Sequence, residues 1–307
     1  MPEKMSDERN FRSSYLEKLG CRSVEERKSL EILLKENPIN KIKLKQFCLR
    51  FTIPVDHRNN LWKLLLGVAP LYADNREFVS EQRTAVYQDL LRALQIMRIT
   101  SDSKDGTVTM SKSKIFYAMF LLENKQLHLG FNINQPSSFT QIADIMLEIF
   151  DNDVESYWIT KGFYELTQQI SSDITKLVDL TKITLEKEDN EIYKHLIQIG
   201  AIAKFPYESW YASCFSSVMS ERALVRIWDK ICGGSIKIVV FVLVIILITY
   251  KRNILRMKDT SEVVHMIEQL RDDPEAADLI VGKAIEFWQQ NKGHNEFLSF
   301  HHINKGK

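Results

Sequence analysis

The chain has 307 residues, enough for a full hydrophobic core in one large domain or two small ones. Hydrophobic residues make up 45% and charged residues 26%, which is typical of a soluble globular protein. The 41 lysine and arginine residues nearly balance the 40 aspartate and glutamate residues, which argues against a protein that binds nucleic acid or anionic membranes.

Helical periodicity dominates the chain, because apolar residues recur three and four positions apart while alternating strand patterns are essentially absent. We predict helices at about 13–36 (in two segments), 40–51, 55–67, 77–100, 115–126, 138–150, 153–170, 172–187, 190–203, 207–218, 220–232, 235–252, 259–271 and 275–291. The polar segment 101–114 is predicted to be a mobile loop. The expected fold class is therefore all-α, with about a dozen or more helices.

No linker divides the predicted helices. We expect residues 13–295 to form a single all-α domain, residues 1–12 a flexible N-terminal tail and residues 296–307 a flexible C-terminal tail. Residues 238–248 form an uninterrupted apolar run that is shorter than the roughly 20 residues of a membrane span. A short helix that is apolar on every side is predicted to lie at the centre of a soluble core.

Sequence motifs for phosphate, nucleotide or metal chemistry are absent. The chain has no phosphate-binding loop, no dinucleotide-binding glycine pattern and no His-Glu-x-x-His motif. The segment CGGS at 232–235 lacks the lysine of a phosphate-binding loop and predicts a turn after a helix. The four cysteines of the chain, Cys21, Cys48, Cys214 and Cys232, lie far apart and are expected to be reduced thiols. We therefore expect no cofactor and no metal.

Several stretches resemble the TBC (Tre-2/Bub2/Cdc16) domain family, the all-α GTPase-activating proteins for Rab GTPases. These stretches include RFTIPVDHRNNLWKLLLG, DNDVESYWITKGFYEL, HLIQIGAIAKFPYESWYASCF and SERALVRIWDKICGGSIKIVVFVLVIIL, and the resemblance covers roughly residues 50–250. The matching residues are Ile53, Pro54, Arg58, Trp62, Leu65, Gly67, Tyr157, Trp158, His195, Leu196, Pro206, Trp210, Phe215, Leu224, Ile227, Trp228, Asp229 and Gly234. We expect the tryptophans and leucines among them to pack in the core.

The resemblance also identifies a candidate catalytic arginine. Active members of the family insert an arginine finger from an Ile-x-x-Asp-x-x-Arg motif, and such a guanidinium is worth about 10³–10⁵ in rate. The stretch AVYQDLLRAL contains Val86, Asp89 and Arg92 at this spacing. The Thr-x-Pro that usually follows the arginine is absent, and the helix is predicted to continue to Ser101. We therefore expect Arg92 in the middle of a helix, about two turns from its end.

The second catalytic motif of the family, Tyr-x-Gln, is absent, because none of the ten tyrosines is followed two positions later by glutamine. Gln126 or Gln135 could serve in its place. The sequence therefore predicts a catalytically inactive member, a pseudo-GAP. An active Rab GTPase-activating protein that uses Arg92 as its arginine finger is the alternative.

A helical wheel of the Arg92 helix separates an apolar face from a polar one. The apolar arc of about 160° is predicted to be buried and contains Val86, Tyr87, Leu90, Leu91, Ala93, Leu94 and Met97. Arg92 lies at the centre of the opposite face, where a surface pair with Asp89 or Gln88 is expected. A stripe on this side is predicted to bind a partner's helix or coiled coil. The stripe consists of Gln88, Arg92, Gln95 and Ile99, and Leu91, which borders it, is predicted to join the contact.

Within the family, the stretches RNFRSSYLEKLG, EERKSLEILLK, YWIT, RIWDK and GSIKIVVFV most resemble a divergent member that is the third subunit of the hamartin–tuberin complex. This resemblance implies a non-catalytic scaffold that binds the coiled coil of hamartin. In that complex tuberin supplies the GTPase activation of Rheb and restrains mTOR growth signalling. The resemblance further implies a cytoplasmic protein that its partners recruit to lysosomal or other vesicle membranes.

Overall fold

The computed structural model describes residues 24–99, 110–128 and 132–300, with side chains described between residues 26 and 291 of these ranges. Every regular element in the described residues is helical, which confirms the predicted all-α fold class. The helices are α1 (Val24–Lys35), α2 (Lys41–Arg50), α3 (Val55–Leu65), α4 (Arg76–Ile96), α5 (Lys112–Glu123), α6 (Ser138–Ile149), α7 (Asp153–Ser172), α8 (Ile174–Glu188), α9 (Asn190–Gln198), α10 (Ala201–Lys204), α11 (Tyr207–Ala212), α12 (Glu221–Cys232), α13 (Ile238–Thr249), α14 (Lys251–Ile254), α15 (Thr260–Glu268) and α16 (Pro274–Phe300). Short 3₁₀ turns at Ala73–Asn75 and Gln269–Asp272 precede α4 and α16.

Contacts between Cα atoms divide the chain into two compact units. Of the described residues, those up to Gln168 and Cys232–Gly234 form the first unit, and Gln169–Ile231 and those from Ser235 onward form the second. The single domain expected over residues 13–295 stays a prediction. The predicted tail 1–12 lies outside the described residues, as does most of the predicted loop 101–114. Helix α16 continues to Phe300, nine residues beyond its predicted end and into the range predicted to be a tail.

The first unit is built around Trp62, one of the residues that match the TBC family, and the aromatic residues that surround it. Trp62 of α3 is fully buried, stacks on Phe163 of α7 at 6.3 Å between ring centroids, and meets Phe150 edge-on at 5.9 Å. Gly162 allows this close approach of α7, because a Cβ atom there would lie 3.0 Å from the Cβ of Leu66. The expectation that the signature tryptophans pack in the core is thus confirmed for this unit.

The second unit is built around the apolar helix α13, which packs against α8 and α16. Nine of its residues are buried, as predicted for the central helix of a core: Ile238, Val239, Val240, Phe241, Val242, Leu243, Val244, Ile246 and Leu247. Burying one such aliphatic side chain stabilises the fold by about 1.5–3 kcal/mol, so this helix contributes heavily to the unit. Within the described residues, no helix combines the length and the apolar character that crossing a membrane requires.

Three buried polar side chains of the second unit, Trp228, Thr181 and Tyr211, have specific hydrogen-bond partners. The indole nitrogen of the signature residue Trp228 donates to the carbonyl of Cys214 at 3.1 Å. The hydroxyls of Thr181 and Tyr211 lie 2.7 Å apart, and Thr181 also donates to the carbonyl of Leu177. Burial raises the pKa of the Tyr211 hydroxyl far above its ordinary value, so it stays protonated and available as a donor.

Candidate partner-binding site

Helix α4 is a 21-residue helix, about 32 Å long, with one face on the core of the first unit. No glycine or proline interrupts it, and Glu77 in its first turn complements the helix dipole. The helix packs on α5, and the ring of buried Tyr87 meets Phe116 of α5 at 6.2 Å and Tyr157 of α7 at 5.8 Å. Its inner face is therefore fixed, and its outer face is held rigidly toward solvent.

The buried face of α4 is narrower than predicted. Tyr87 and Leu94 are buried, and Leu90, Leu91 and Ala93 are half-buried. Two members of the predicted buried arc are exposed instead, Val86 at 40% and Met97 at 48% of their surface. The prediction was wrong for these two residues. A helical wheel shows only which residues of the helix are apolar, whereas the neighbouring helices cover only the centre of the apolar arc.

Helix α4 ends at Ile96, earlier than the predicted end near residue 100. The N–H of Arg98 donates to the carbonyl of Gln95 and the N–H of Ile99 donates to the carbonyl of Leu94, each at 3.0 Å. Arg98 adopts a left-handed conformation with φ of 58°. These bonds form a Schellman motif, which satisfies the last carbonyls of the helix without a glycine. The predicted two turns between Arg92 and the helix end are therefore about one turn.

Arg92 projects an exposed guanidinium from the outer face of α4. The expected surface pair with Asp89 or Gln88 is not formed, and Arg92 makes no ion pair within the described residues. Gln126 and Gln135, the possible substitutes for the missing glutamine motif, are both exposed in segments that flank α5 and α6.

The predicted partner-binding residues divide into two groups. Gln88, Arg92 and Gln95 are exposed on the outer face, whereas Leu91 and Ile99 are half-buried where that face meets the core. Three of the five predicted side chains are thus exposed, and the other two lie at the edge of the outer face.

An apolar row on the same face was missed in part by the sequence reasoning. Phe78 is 64% exposed and Ile96 is 74% exposed. With Ala85 they fall within about 20° of each other around the helix axis, and Arg92 lies beside them. The spacing of Phe78, Ala85 and Ile96 along the helix is a signal that the sequence carries, but Phe78 lies outside the stretch that contains the arginine-finger motif. We name the set Phe78, Ala85, Gln88, Arg92, Gln95 and Ile96 the α4 face.

Comparisons with known proteins agree with this fold. The model of the Rab-GTPase-TBC domain family matches residues 55–255. The chain is 37% identical over 291 residues to TBC1 domain family member 7 of Danio rerio, covering 93% of this chain and 96% of that protein. It is 35% identical over 290 residues to the Homo sapiens protein of the same name, with the same coverage.

Solved structures with similar folds are more distant in sequence. The Ypt/Rab-GAP domain of Gyp1p has a TM-score of 0.62 at 16% identity, covering 88% of this chain and 99% of that one. The Chlamydomonas flagellar RabGAP TBC domain has a TM-score of 0.55 at 17% identity, covering 92% of this chain and 95% of that one. With the family match over most of the chain, these findings lead to one conclusion. The chain belongs to the Rab-GTPase-TBC domain family.

Proposed function

We propose that this chain is a non-catalytic TBC-domain scaffold subunit that binds a coiled-coil partner through the α4 face. The partner is hamartin, within a hamartin–tuberin complex that activates the GTPase Rheb and restrains mTOR growth signalling. The observation that carries the proposal is the exposed apolar row on a rigid 21-residue helix. The similarity to proteins named TBC1 domain family member 7 supports the choice of complex.

The chemistry of the α4 face suits a helical partner. Single exposed apolar residues are ordinary, but Phe78 and Ile96 occupy the two ends of one straight row. A partner helix lying along the row would bury both residues and Ala85 between them. Gln88, Arg92 and Gln95 beside the row supply hydrogen-bond donors for its polar edge, where Arg92 can pair with an acidic residue. Leu91 and Ile99 extend the contact at the border with the core.

Two observations support a non-catalytic role. The Tyr-x-Gln motif that positions water in active members is missing from the sequence. Helix α4 also continues for a turn past Arg92, so its side chain leaves from the flank of the helix instead of its end. A finger needs both a suitable arginine and an oriented water, because each supplies a separate part of the rate enhancement.

The alternative function is an active Rab GTPase-activating protein with Arg92 as its arginine finger. The observation that favours it is the exposed guanidinium of Arg92, which no carboxylate of the described residues neutralises. Under either function we propose a cytoplasmic protein that reaches lysosomal or other vesicle membranes through its partners.

Substituting Ile96 by aspartate tests the scaffold function. We expect Ile96→Asp to weaken binding of the full chain to the hamartin coiled coil by about 100-fold or more, since it replaces the most exposed large apolar side chain of the row with a charge that the partner helix would have to bury. Binding is measured by isothermal titration calorimetry. Ile183→Asp is the matched control, because Ile183 of α8 is also exposed, at 63%, and should bind like the wild type.

Two results of this experiment would contradict the proposal. Equal binding by Ile96→Asp and Ile183→Asp would exclude the α4 face as the contact surface. Failure of the wild-type chain to bind the coiled coil at all would exclude hamartin as the partner.

A further inference from the structure

A cavity of about 300 Å³ opens in the first unit between α3, α4 and α7. Because a water molecule occupies about 30 Å³ of liquid, the cavity has room for a small polyatomic ion and an attached group. Helix α4 contributes Arg76, Ser80 and Arg83 to its wall, at positions i, i+4 and i+7 of one helix face. The opposite walls include Lys63 of α3 and Trp158 of α7.

One cation and one anion of the cavity wall neutralise each other. Lys63 Nζ lies 2.8 Å from a carboxylate oxygen of Glu155, and the amide of Asn59 donates to the other oxygen at 2.8 Å. Burial favours the neutral carboxyl, but the hydrogen bonds from Lys63 and Asn59 outweigh it and lower the pKa of Glu155. Lys63 and Glu155 therefore need no further ionic partner.

The two arginines of the wall are held in place but have no carboxylate partner. Arg76 Nε donates to the carbonyl of Pro70 at 3.3 Å, and Arg83 Nη2 donates to the carbonyl of Gly67 at 2.8 Å. The Arg83 guanidinium also lies 4.5 Å from the ring centroid of Trp158. Neither arginine forms an ion pair within the described part of the chain. Their positions are thus fixed before any ligand arrives.

Each arginine retains one buried nitrogen that lacks a hydrogen-bond partner among the described residues, Nη2 of Arg76 and Nε of Arg83. Leaving a buried charged donor unsatisfied is costly, so an acceptor bound at this wall of the cavity would stabilise both arginines. Desolvation lowers the pKa of Arg83, and more distant Glu123 and Glu165 oppose this effect through their charges. An anion inside the cavity would stabilise the charged guanidinium directly. Glu77, which also lines the cavity, is exposed and opposes such an anion.

We propose that this cavity binds the phosphate group of a small phosphate monoester, with Arg76 Nη2 and Arg83 Nε donating to its oxygens. A carboxylate is satisfied by the fork of a single guanidinium, whereas a tetrahedral dianion offers acceptors in several directions. Two guanidinium groups, with Ser80 and Asn60 also on the wall, match the second geometry. The apolar side chains of Val68 and Val154 line the remainder of the cavity and would contact the attached group. This site is independent of the α4 face and of hamartin binding.

Calorimetric titration of the full chain with O-phospho-L-serine, inorganic phosphate and acetate at constant ionic strength tests the proposal. We expect saturable 1:1 binding of O-phospho-L-serine, weaker binding of inorganic phosphate and no detectable binding of acetate. Absence of saturable phosphate binding would overturn the proposal and leave water as the partner of both nitrogens. Equal binding of acetate would overturn the phosphate class, and equal binding of inorganic phosphate would overturn the monoester.

Four variants locate the binding site. Arg83→Gln should weaken binding of O-phospho-L-serine about tenfold or more, because it removes a charge-assisted hydrogen bond. Ser80→Glu should abolish binding while it leaves every arginine hydrogen bond in place. It therefore tests the site even if Arg83→Gln fails to fold. Glu77→Gln should strengthen binding several-fold, since it removes the opposing charge. Arg252→Gln, at an exposed arginine of α14, is the matched control and should bind like the wild type.

The two variants that change the charge of the cavity, Ser80→Glu and Glu77→Gln, can also contradict the proposal. If Ser80→Glu and Glu77→Gln both bind O-phospho-L-serine with the affinity of Arg252→Gln, the phosphate does not lie in this cavity and the proposal is wrong.

Discussion

Arg92 carries an exposed guanidinium on the outer face of α4, beside Ala85 and Ile96. At this one residue the two candidate functions require different chemistry. An arginine finger must enter the active site of a GTPase and stabilise charge on the transferring phosphoryl group. A docking residue need only pair with an acidic side chain of a bound helix, which is worth far less.

Replacement of Arg92 by alanine separates the two functions. We expect Arg92→Ala to leave single-turnover GTP hydrolysis by a panel of Rab GTPases unchanged, because a chain with the proposed scaffold function provides no stimulation to lose. The same variant should weaken binding to the hamartin coiled coil modestly, by about tenfold or less. If the wild-type chain stimulates any Rab and Arg92→Ala loses about 10³-fold or more of that stimulation, the chain is an active GTPase-activating protein.

Trp158 shows that a signature residue can do more than pack. The residue is 7% exposed, and the guanidinium of Arg83 and the ammonium of Lys161 lie 4.5 and 5.1 Å from its ring centroid. Its indole nitrogen donates to the carbonyl of Arg83 at 3.1 Å. The sequence correctly predicted a buried tryptophan, but the two cations above it come from positions 83 and 161 and required the fold.

At the scale of the element, α4 ends through a left-handed arginine. No glycine or proline lies between Arg92 and Ser101, so the sequence predicts a helix that continues to about residue 100. Non-glycine residues adopt this conformation at a cost of about 1 kcal/mol, so the Schellman hydrogen bonds after Leu94 must offset that cost. The helix end is therefore determined by hydrogen bonding and packing, which no single residue type in the sequence predicts.

Substituting Arg98 by glycine tests this account of the helix end. We expect Arg98→Gly to raise the free energy of unfolding by up to about 1 kcal/mol, because glycine adopts positive φ without steric strain. Urea denaturation followed by circular dichroism measures the change. Gln82→Gly, at an exposed position inside the same helix, should lower it by about 1 kcal/mol. A loss of stability in both variants would show that Arg98 is not strained.

At the scale of the whole molecule, each compact unit contains a carboxylate that depends on a lysine. In the first unit Glu155 pairs with Lys63, and in the second unit Asp189 lies 2.8 Å from Lys251 Nζ. Burial raises the pKa of Asp189, but hydrogen bonds from Lys251 and from backbone N–H groups outweigh burial and lower it. Both carboxylates are therefore more acidic in the folded chain than their ordinary pKa values of 4.5 and 3.8.

This pair of lowered pKa values predicts the acid sensitivity of the fold. A carboxylate with a lowered folded-state pKa contributes stability above its unfolded pKa and loses it as the pH falls through the folded value. We expect the free energy of unfolding to fall between about pH 5 and pH 2. In urea titrations at each pH, Glu155→Gln should flatten this dependence. Glu81→Gln, at an exposed residue of α4, is the control and should keep the wild-type slope; equal slopes for both variants would contradict the assignment.

The sequence by itself determined the fold class, the family and the central position of α13. These features follow from repeated local patterns, since helical periodicity, an apolar run and signature residues such as Trp62 and Trp228 are all readable along the chain. The turn at CGGS was readable too, and Gly234 adopts the positive φ of 102° that such a turn requires.

Only the tertiary structure decided which apolar side chains of α4 are covered and which cations remain without an ionic partner. Val86 and Met97 are as apolar as Leu94, yet neighbouring helices cover Leu94 alone among the three. Likewise Lys63 and Arg83 are both basic, but Glu155 lies beside Lys63 and no carboxylate pairs with Arg83 within the described residues. Burial and charge pairing depend on what lies opposite a side chain, and that neighbour comes from another element of the fold.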